Sequence, residues 1–158
     1  MSVRITDTDR GAKALVARIY DLARRNPVIT MGIHDAEGNA VHDAKSGATI
    51  LDVATFNEFG TTRIPERSFL RAWFDGAEAG LRRDLVVLTQ SVVAGKRTAD
   101  QVLELLGLRS VGQIQARISQ GIPPPNAEST IKKKGSSTPL IDTGVLRSSV
   151  TYQVKDKA

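Results

Sequence analysis

Residues 56–71 read FNEFGTTRIPERSFLR, and residues 139–150 read PLIDTGVLRSSV. We call these two segments the first motif and the second motif. Gly60 is expected to turn left-handed, because glycine tolerates positive φ, and Pro65 excludes regular structure from the loop that follows. Neither motif contains a nucleophile beside a base or a set of metal ligands. We therefore expect both motifs to fix backbone shape and to present a surface.

The first motif joins two predicted helices. Residues 49–59 have the pattern of a short helix, and Gly60 suits the position just after its end. Residues 61–67 form a loop. Residues 68–94 are the longest predicted helix, because their apolar side chains recur at spacings of three and four.

Two elements are predicted before the first motif. Residues 7–25 have the apolar periodicity of a helix, and Asn26-Pro27 stops it. Residues 28–34 alternate between two faces and predict a strand. Turn residues follow at Gly38-Asn39 and Ser46-Gly47, and residues 39–42 are a candidate return strand of a hairpin.

Two short helices are predicted between the motifs. A capping box, in which a hydroxyl residue is followed three positions later by Gln, begins at Thr98 and again at Ser110. Gly107 closes the helix that precedes the second box. The pattern therefore predicts one helix at residues 99–106 and another at residues 111–120.

Residues 121–138 contain three consecutive prolines, a lysine run and a Gly-Ser-Ser segment, which predict an extended loop or arm. After the second motif begins, Val150, Tyr152 and Val154 alternate as a closing strand. The order of helix, strand, helices and strand indicates an α+β fold in a single domain, residues 1–158, with a small antiparallel sheet packed against several helices.

Composition limits the class of protein. The chain has 158 residues, of which 41% are hydrophobic and 4% aromatic, so a modest core must depend on aliphatic side chains. There is no cysteine, which excludes disulfides, iron–sulfur sites and thiol catalysis. No apolar run approaches the roughly 18 residues of a transmembrane helix, and the N-terminus lacks the apolar core of a signal peptide. We expect synthesis in the cytoplasm and no membrane association.

The net charge of +5 and the pI of about 9.8 permit contact with nucleic acid without requiring it. The tight basic run is Lys132-Lys133-Lys134. One interpretation is a solvated loop, and the other is contact with DNA phosphates or with an acidic partner surface.

The residues most able to carry chemistry have simpler interpretations. His34 and His42 would need further ligands to hold a metal and are interpreted as polar loop residues. Asp52, Glu58 and Glu66 have no His, Ser or Lys at a recognisable spacing, which favours capping and loop hydrogen bonding over acid–base work. We expect no enzyme activity, no catalytic residue, no metal and no cofactor.

Five of the seven aromatic residues lie between positions 56 and 74. Phe56 and Phe59 share a helix face, and the cluster forms either the main corner of the core or, in part, an anchor for a subunit contact. Trp73 is the favoured anchor, because aromatic and Arg residues are enriched in such contacts. The candidate interface residues are Phe59, Arg67, Arg71, Trp73, Lys132, Lys133, Lys134 and Arg147.

The two motifs resemble those of the tail-completion and neck proteins of tailed bacteriophages, including Mu-like virion morphogenesis and head–tail joining proteins. The resemblance rests on the aromatic-Gly-Thr segment at 59–61, on PERSFLR at 65–71 and on PLIDTGVL at 139–146. Leu106-Gly107-Leu108 and the Pro-rich loop fall between them in the order that the family shows. Two departures from the family pattern are Ser68, where a second proline is common, and Asn126, where Leu is frequent.

The resemblance implies a virion structural protein, assembled as a homo-oligomeric ring, commonly a hexamer, at the top of the tail or in the neck. Its partners would be the tail tube protein and other neck or connector proteins, with possible non-specific contact with genomic DNA in the channel. Residues 121–138 would then suit an arm that reaches a neighbour and orders on binding.

The alternative is a small basic nucleic-acid-binding protein. Its only candidate helix-turn-helix is the predicted helix pair between residues 99 and 120. The second of these helices carries a single cation, Arg117, which is little for phosphate binding.

Overall fold

The computed structural model describes residues 11–43 and 47–157, which form a mixed structure of helices and two small antiparallel sheets. The predicted α+β class is confirmed. The elements in chain order are α1 (Ala12–Arg25), β1 (Pro27–Gly32), α2 (Asp35–Gly38), β2 (Val41–Asp43), β3 (Ala48–Thr49), α3 (Ile50–Phe59), α4 (Arg71–Val93), α5 (Ala99–Gln120), α6 (Glu128–Lys134), α7 (Val145–Ser148) and β4 (Thr151–Asp156).

The main sheet pairs β1 with β4, so the predicted closing strand is confirmed. The two strands are antiparallel, with Met31 opposite Tyr152 and Pro27 opposite Asp156. The hairpin prediction for residues 39–42 is wrong in its partner, because β2 pairs with β3 in a separate sheet. The short helix α2 lies between β1 and β2 in the chain.

The first helix ends where the sequence predicts. α1 stops at Arg25, and Asn26 takes a left-handed conformation from which its N–H donates to the carbonyl of Leu22. The predicted start at residues 7–10 lies outside the described residues, and so does Ser46 of the second turn. Arg25 then ties three elements together through Asp21 in α1, Asp100 in α5 and Asp156 in β4.

The prediction of two short helices between the motifs is wrong, because α5 runs unbroken through both of them. The capping box at Thr98 is confirmed, since its hydroxyl accepts the N–H of Gln101 at 3.2 Å and its own N–H donates to the Gln101 side chain at 2.9 Å. Ser110 is instead fully buried in the helix interior. Gly107 lies against the ring of Tyr152, where a Cβ would overlap the ring. The glycine serves close packing of helix on sheet rather than helix termination.

The core consists of two clusters. The larger cluster lies where α3, α4, α5 and the second motif meet, and the smaller one lies between the far ends of α4 and α5. The buried members of the larger cluster are Ile50, Ala54, Phe69, Trp73, Ile114, Ile118, Ile122, Leu146 and Val150, and those of the smaller are Val92, Val102 and Leu106.

None of the helices in the described part of the chain combines the length and apolar character needed to span a membrane.

Candidate partner-binding site

The first motif is organised by the buried carboxylate of Glu58, near the end of α3. One oxygen accepts the backbone N–H groups of Phe69 at 2.8 Å and Leu70 at 3.0 Å. The other accepts the Arg71 N–H at 2.9 Å and the Ser68 hydroxyl at 2.7 Å. These amides are at the start of α4, where helix N–H groups have no partner within the helix. Glu58 therefore caps α4 from the preceding helix.

The environment of Glu58 keeps it ionised. Burial alone would raise its pKa, but hydrogen bonds from the amides of Leu70, Arg71 and Phe69 and from the Ser68 hydroxyl outweigh burial, so the pKa lies below its ordinary value. A carboxylate held in this state is suited to structure rather than to proton transfer. The cap also explains why α4 begins at Arg71 and not at the predicted residue 68.

The other two acidic residues near the first motif also have local partners. Asp52 forms a capping box with Thr49: its side chain accepts the Thr49 N–H at 2.9 Å, and its own N–H donates to the Thr49 hydroxyl at 3.1 Å. Glu66 accepts a hydrogen bond from the Arg71 guanidinium at 2.7 Å. The interpretation of these carboxylates as capping and loop residues is confirmed.

Gly60 lets the chain fold back on itself after α3. Its φ is 73° and its ψ is 169°, so φ is positive as predicted, although ψ is extended rather than left-handed helical. A Cβ at this position would lie 3.0 Å from the backbone nitrogen of Glu66. The returning chain is fixed by the N–H of Arg67, which donates to the carbonyl of Asn57 at 2.6 Å.

Arg67 joins the first motif to the Pro-rich segment. Its side chain is buried, and its Nε and Nη2 donate to the carbonyls of Pro124 at 2.8 Å and Pro125 at 3.1 Å. Burial lowers the pKa of Arg67 from its ordinary value. The Pro-rich segment is therefore held against the first motif by a charged clamp.

Lys134, the last residue of α6, joins that helix to the second motif. Its Nζ donates to the carbonyls of Ile141 at 2.8 Å and Thr138 at 3.2 Å. Burial lowers its pKa, with Arg67 acting in the same direction and Asp142 opposing it. Within the predicted arm at 121–138, the structure thus contains a helix whose end is tied to the body of the protein.

The two motifs meet at one cavity of about 600 Å³, which we call the junction cavity. Three stretches line it: the loop of the first motif, the segment from Pro125 to Lys134, and the second motif from Leu140 to Leu146. His42 in β2 also lines the cavity. Segments that are far apart in sequence therefore build a single concave surface, which is the strongest candidate for a functional site in the described part of the chain.

Trp73 corrects the prediction of an aromatic interface anchor. Its ring is buried in the larger core cluster, and its Nε1 donates to the side chain of Gln113 at 3.1 Å. The Trp73 side chain makes its packing contacts and its hydrogen bond within the chain, so the core interpretation of this residue holds. Phe59 is the more exposed of the two outward aromatic side chains of α3, at 63% against 40% for Phe56, and Arg71 lies over the Phe59 ring at 4.9 Å.

The basic candidate residues separate into two groups. Arg67 and Lys134 line the junction cavity and donate to carbonyls, as described above. Lys132 and Lys133 are exposed on α6, and Arg147 is exposed on α7, where it donates to the Ser119 hydroxyl at 3.1 Å. This second group, together with the exposed Arg71, faces an open surface where a partner could bind.

The histidines do not converge on a metal site. His34 lies between the hydroxyls of Thr30 at 3.0 Å and Thr151 at 2.9 Å, at the end of the main sheet. Across residues 11–43 and 47–157, no group of three or more His, Asp or Glu side chains is arranged to hold a metal ion.

An exposed apolar surface on α4 and α5 escaped the sequence reasoning. Val87 and Leu105 line one shallow cavity of about 340 Å³, and Leu105 and Leu108 line a second of about 330 Å³. We call Val87, Leu105 and Leu108 the helical surface; all three are exposed. Val87 lies outside the periodic stripe of α4, which is the signal that would have revealed it.

Comparison with known proteins gave no match: no protein-family model, no curated protein and no solved structure matches the chain.

Proposed function

We propose that the chain is a structural protein of a tailed-phage virion, forming a ring in the neck or at the top of the tail and acting in tail completion and head–tail joining. The observation that carries the proposal is the way the two motifs are used. Their side chains cap a helix, clamp a proline segment and shape a cavity, which is what a protein that works by presenting a surface requires. The order of the motif residues along the chain supplies the link to this class.

The helical surface supports the assembly part of the proposal. Exposed apolar side chains that cluster on one face are typical of protein–protein contact. Val87 and Leu108 are each more than half exposed in the single chain, at 64% and 55%. A ring needs two different faces per subunit, because a heterologous contact that closes on itself joins one face to the other. The helical surface would supply one of these faces.

The test is the mass of the purified protein in solution, measured by light scattering over a range of concentrations. A discrete ring-sized oligomer, a hexamer on this proposal, is the expected result, and electron microscopy would then give its symmetry. A subunit that stays monomeric and also fails to bind purified tail tubes would contradict the proposal.

The nucleic-acid-binding alternative keeps one favourable observation, the exposed Lys132 and Lys133 at the end of α6. Its helix pair is absent, since α5 is a single helix. DNA affinity at two salt concentrations separates the two functions. Tight binding that depends on base sequence would favour the alternative, whereas weak and strongly salt-dependent binding would fit contact with DNA in a channel.

A further inference from the structure

The junction cavity contains two cations that are withdrawn from open solvent: Arg67 is buried and Lys134 is half-buried. Arg67 and Lys134 form no ion pair with any of the described residues. Their hydrogen bonds go to four backbone carbonyls, which carry no net charge. A buried charge is costly unless it is paired as well as hydrogen-bonded. The subunit on its own therefore leaves a positive charge inside a concave site.

The remaining charged groups of the cavity do not cancel this excess. Arg63 also lines the cavity, and Asp142 is the acidic residue there, which leaves three cations against one carboxylate. Asp142 is too distant to form an ion pair with Lys134. Burial lowers the pKa of both Arg67 and Lys134, in agreement with their removal from water.

The shape and the walls of the cavity narrow the kind of anion. Its volume of about 600 Å³ is within the range of small-ligand and side-chain sites. Apolar side chains form much of the wall, which suits a peptide with an apolar residue beside its acid. A DNA strand would meet instead the exposed cations of α6, Lys132 and Lys133. The apolar wall residues are Val53, Ile64, Leu140, Val145 and Leu146.

We propose that the junction cavity binds a carboxylate side chain from a segment of a partner protein, an Asp or Glu flanked by an apolar residue, with Lys134 and Arg67 receiving the carboxylate. Lys134 has a third N–H, and the Nη1 of Arg67 makes no hydrogen bond to the described residues, so both have donors left for an acid. That the partner is a neighbouring neck or tail protein rests on the proposed function, whereas the acidic chemistry rests on the cavity.

The test uses a single acidic probe and its neutral counterpart. The ¹⁵N-labelled full chain is titrated with N-acetylglutamate N-methylamide and, separately, with N-acetylglutamine N-methylamide, and the shifts of amide and Arg Nε–H signals are followed. We expect the glutamate probe alone to move the signals of residues lining the cavity. This comparison uses the unaltered protein, so it does not depend on the folding of any variant.

Two variants on the same helix then locate the charge. Lys134→Met is expected to weaken binding of the glutamate probe about tenfold or more, the effect of one charge-assisted hydrogen bond. Lys132→Met removes the same charge from the exposed side of α6 and should change binding less than about twofold. Equal losses in both variants, or equal shifts with the glutamine probe, would overturn the proposal.

Inorganic phosphate is the competing ligand. If it moves the cavity signals at lower concentration than the glutamate probe, the site is a phosphate site and the carboxylate proposal is wrong. None of these outcomes depends on ring formation, so the cavity chemistry and the proposed function can fail separately.

Discussion

The corner built by the two motifs and the helical surface of α4 and α5 are stabilised in opposite ways. At the corner, buried polar side chains hold the backbone, as Glu58 does at the start of α4 and Arg67 does on the prolines. On the helical surface, apolar side chains such as Val87 remain in water while the helices are held by their opposite faces.

The difference predicts which property of the protein a substitution should change in each region. A buried polar group with all its hydrogen bonds made is costly to disturb, because removing one partner leaves the others unsatisfied. An exposed apolar residue contributes little to the stability of the subunit and gains only when a partner covers it. Substitutions should therefore affect folding at the corner and association at the helical surface.

The largest effect is expected from Glu58→Ala. The change removes the cap of α4 and leaves three buried or partly buried amides without a partner, so the free energy of unfolding should fall by about 3 kcal/mol or more. Urea unfolding measures this loss as a lower midpoint. Glu66→Ala is the matched control, because Glu66 is an exposed acid in the same motif and its ion pair with Arg71 is worth about 1 kcal/mol at most. Equal losses in the two variants would mean that Glu58 is not the cap that holds the corner.

Gly107→Val should cause the next largest loss in the free energy of unfolding. Its side chain would overlap the ring of Tyr152 and push α5 from the main sheet, at a cost of about 2–3 kcal/mol. Gly112→Ala is the control in the same helix, since a Cβ there has no neighbour within 4 Å. That change should stabilise the protein by about 0.5–1 kcal/mol, because alanine favours the helix. Thermal unfolding should therefore show a lower midpoint for Gly107→Val and a higher midpoint for Gly112→Ala. An unchanged midpoint in Gly107→Val would show that α5 does not need close contact with β4.

A pH dependence isolates the charge of Glu58. Its folded pKa is below the unfolded one, so its contribution is fully present above the unfolded value of about 4.3 and is lost as pH falls through the folded value. The natural protein should therefore lose more stability than Glu58→Gln between about pH 5 and about pH 3. Parallel stability curves for the two proteins over this range would mean that the charge of Glu58 does not stabilise the fold.

The smallest effect on folding, and the largest on association, is expected from Val87→Ser. Val87 is exposed, so the free energy of unfolding should change by less than about 0.5 kcal/mol. If the helical surface is a subunit contact, the same change should shift the mass in light scattering toward the monomer. Thr89→Ser, at an exposed polar position of the same helix, serves as the control. If the mass of the oligomer were unchanged in Val87→Ser, the helical surface would not be the subunit contact.

Local signals were readable from the sequence where one residue type satisfies one backbone need. Gly60 and the capping box at Thr98 are such cases, and so is the stop of α1 at Asn26. The same reasoning failed at Ser110, because a capping pattern inside a long helix is overridden when packing against the sheet and Trp73 favours continuing the helix.

The candidate site was only partly predictable for a related reason. The sequence identified Arg67 and Lys134 as candidate contact residues, but not that they meet at one cavity, because their partners are backbone carbonyls that leave no mark in the side-chain pattern. The sequence left Trp73 open between the core and a subunit contact, because composition reports the presence of an aromatic residue and not the direction of its ring. The helical surface was not predicted because the prediction of α4 used only its periodic apolar stripe, and the apolar Val87 off that stripe was given no role.

The pairing of β1 with β4 has a consequence for the order of events during synthesis. β1 emerges from the ribosome early, yet its partner strand is the last described element of the chain. Until β4 is made, Gly107 on α5 has no Tyr152 ring against it, and Arg25 lacks its contact with Asp156. The nascent chain therefore cannot complete its fold, or the surfaces that depend on it, before translation has passed both motifs.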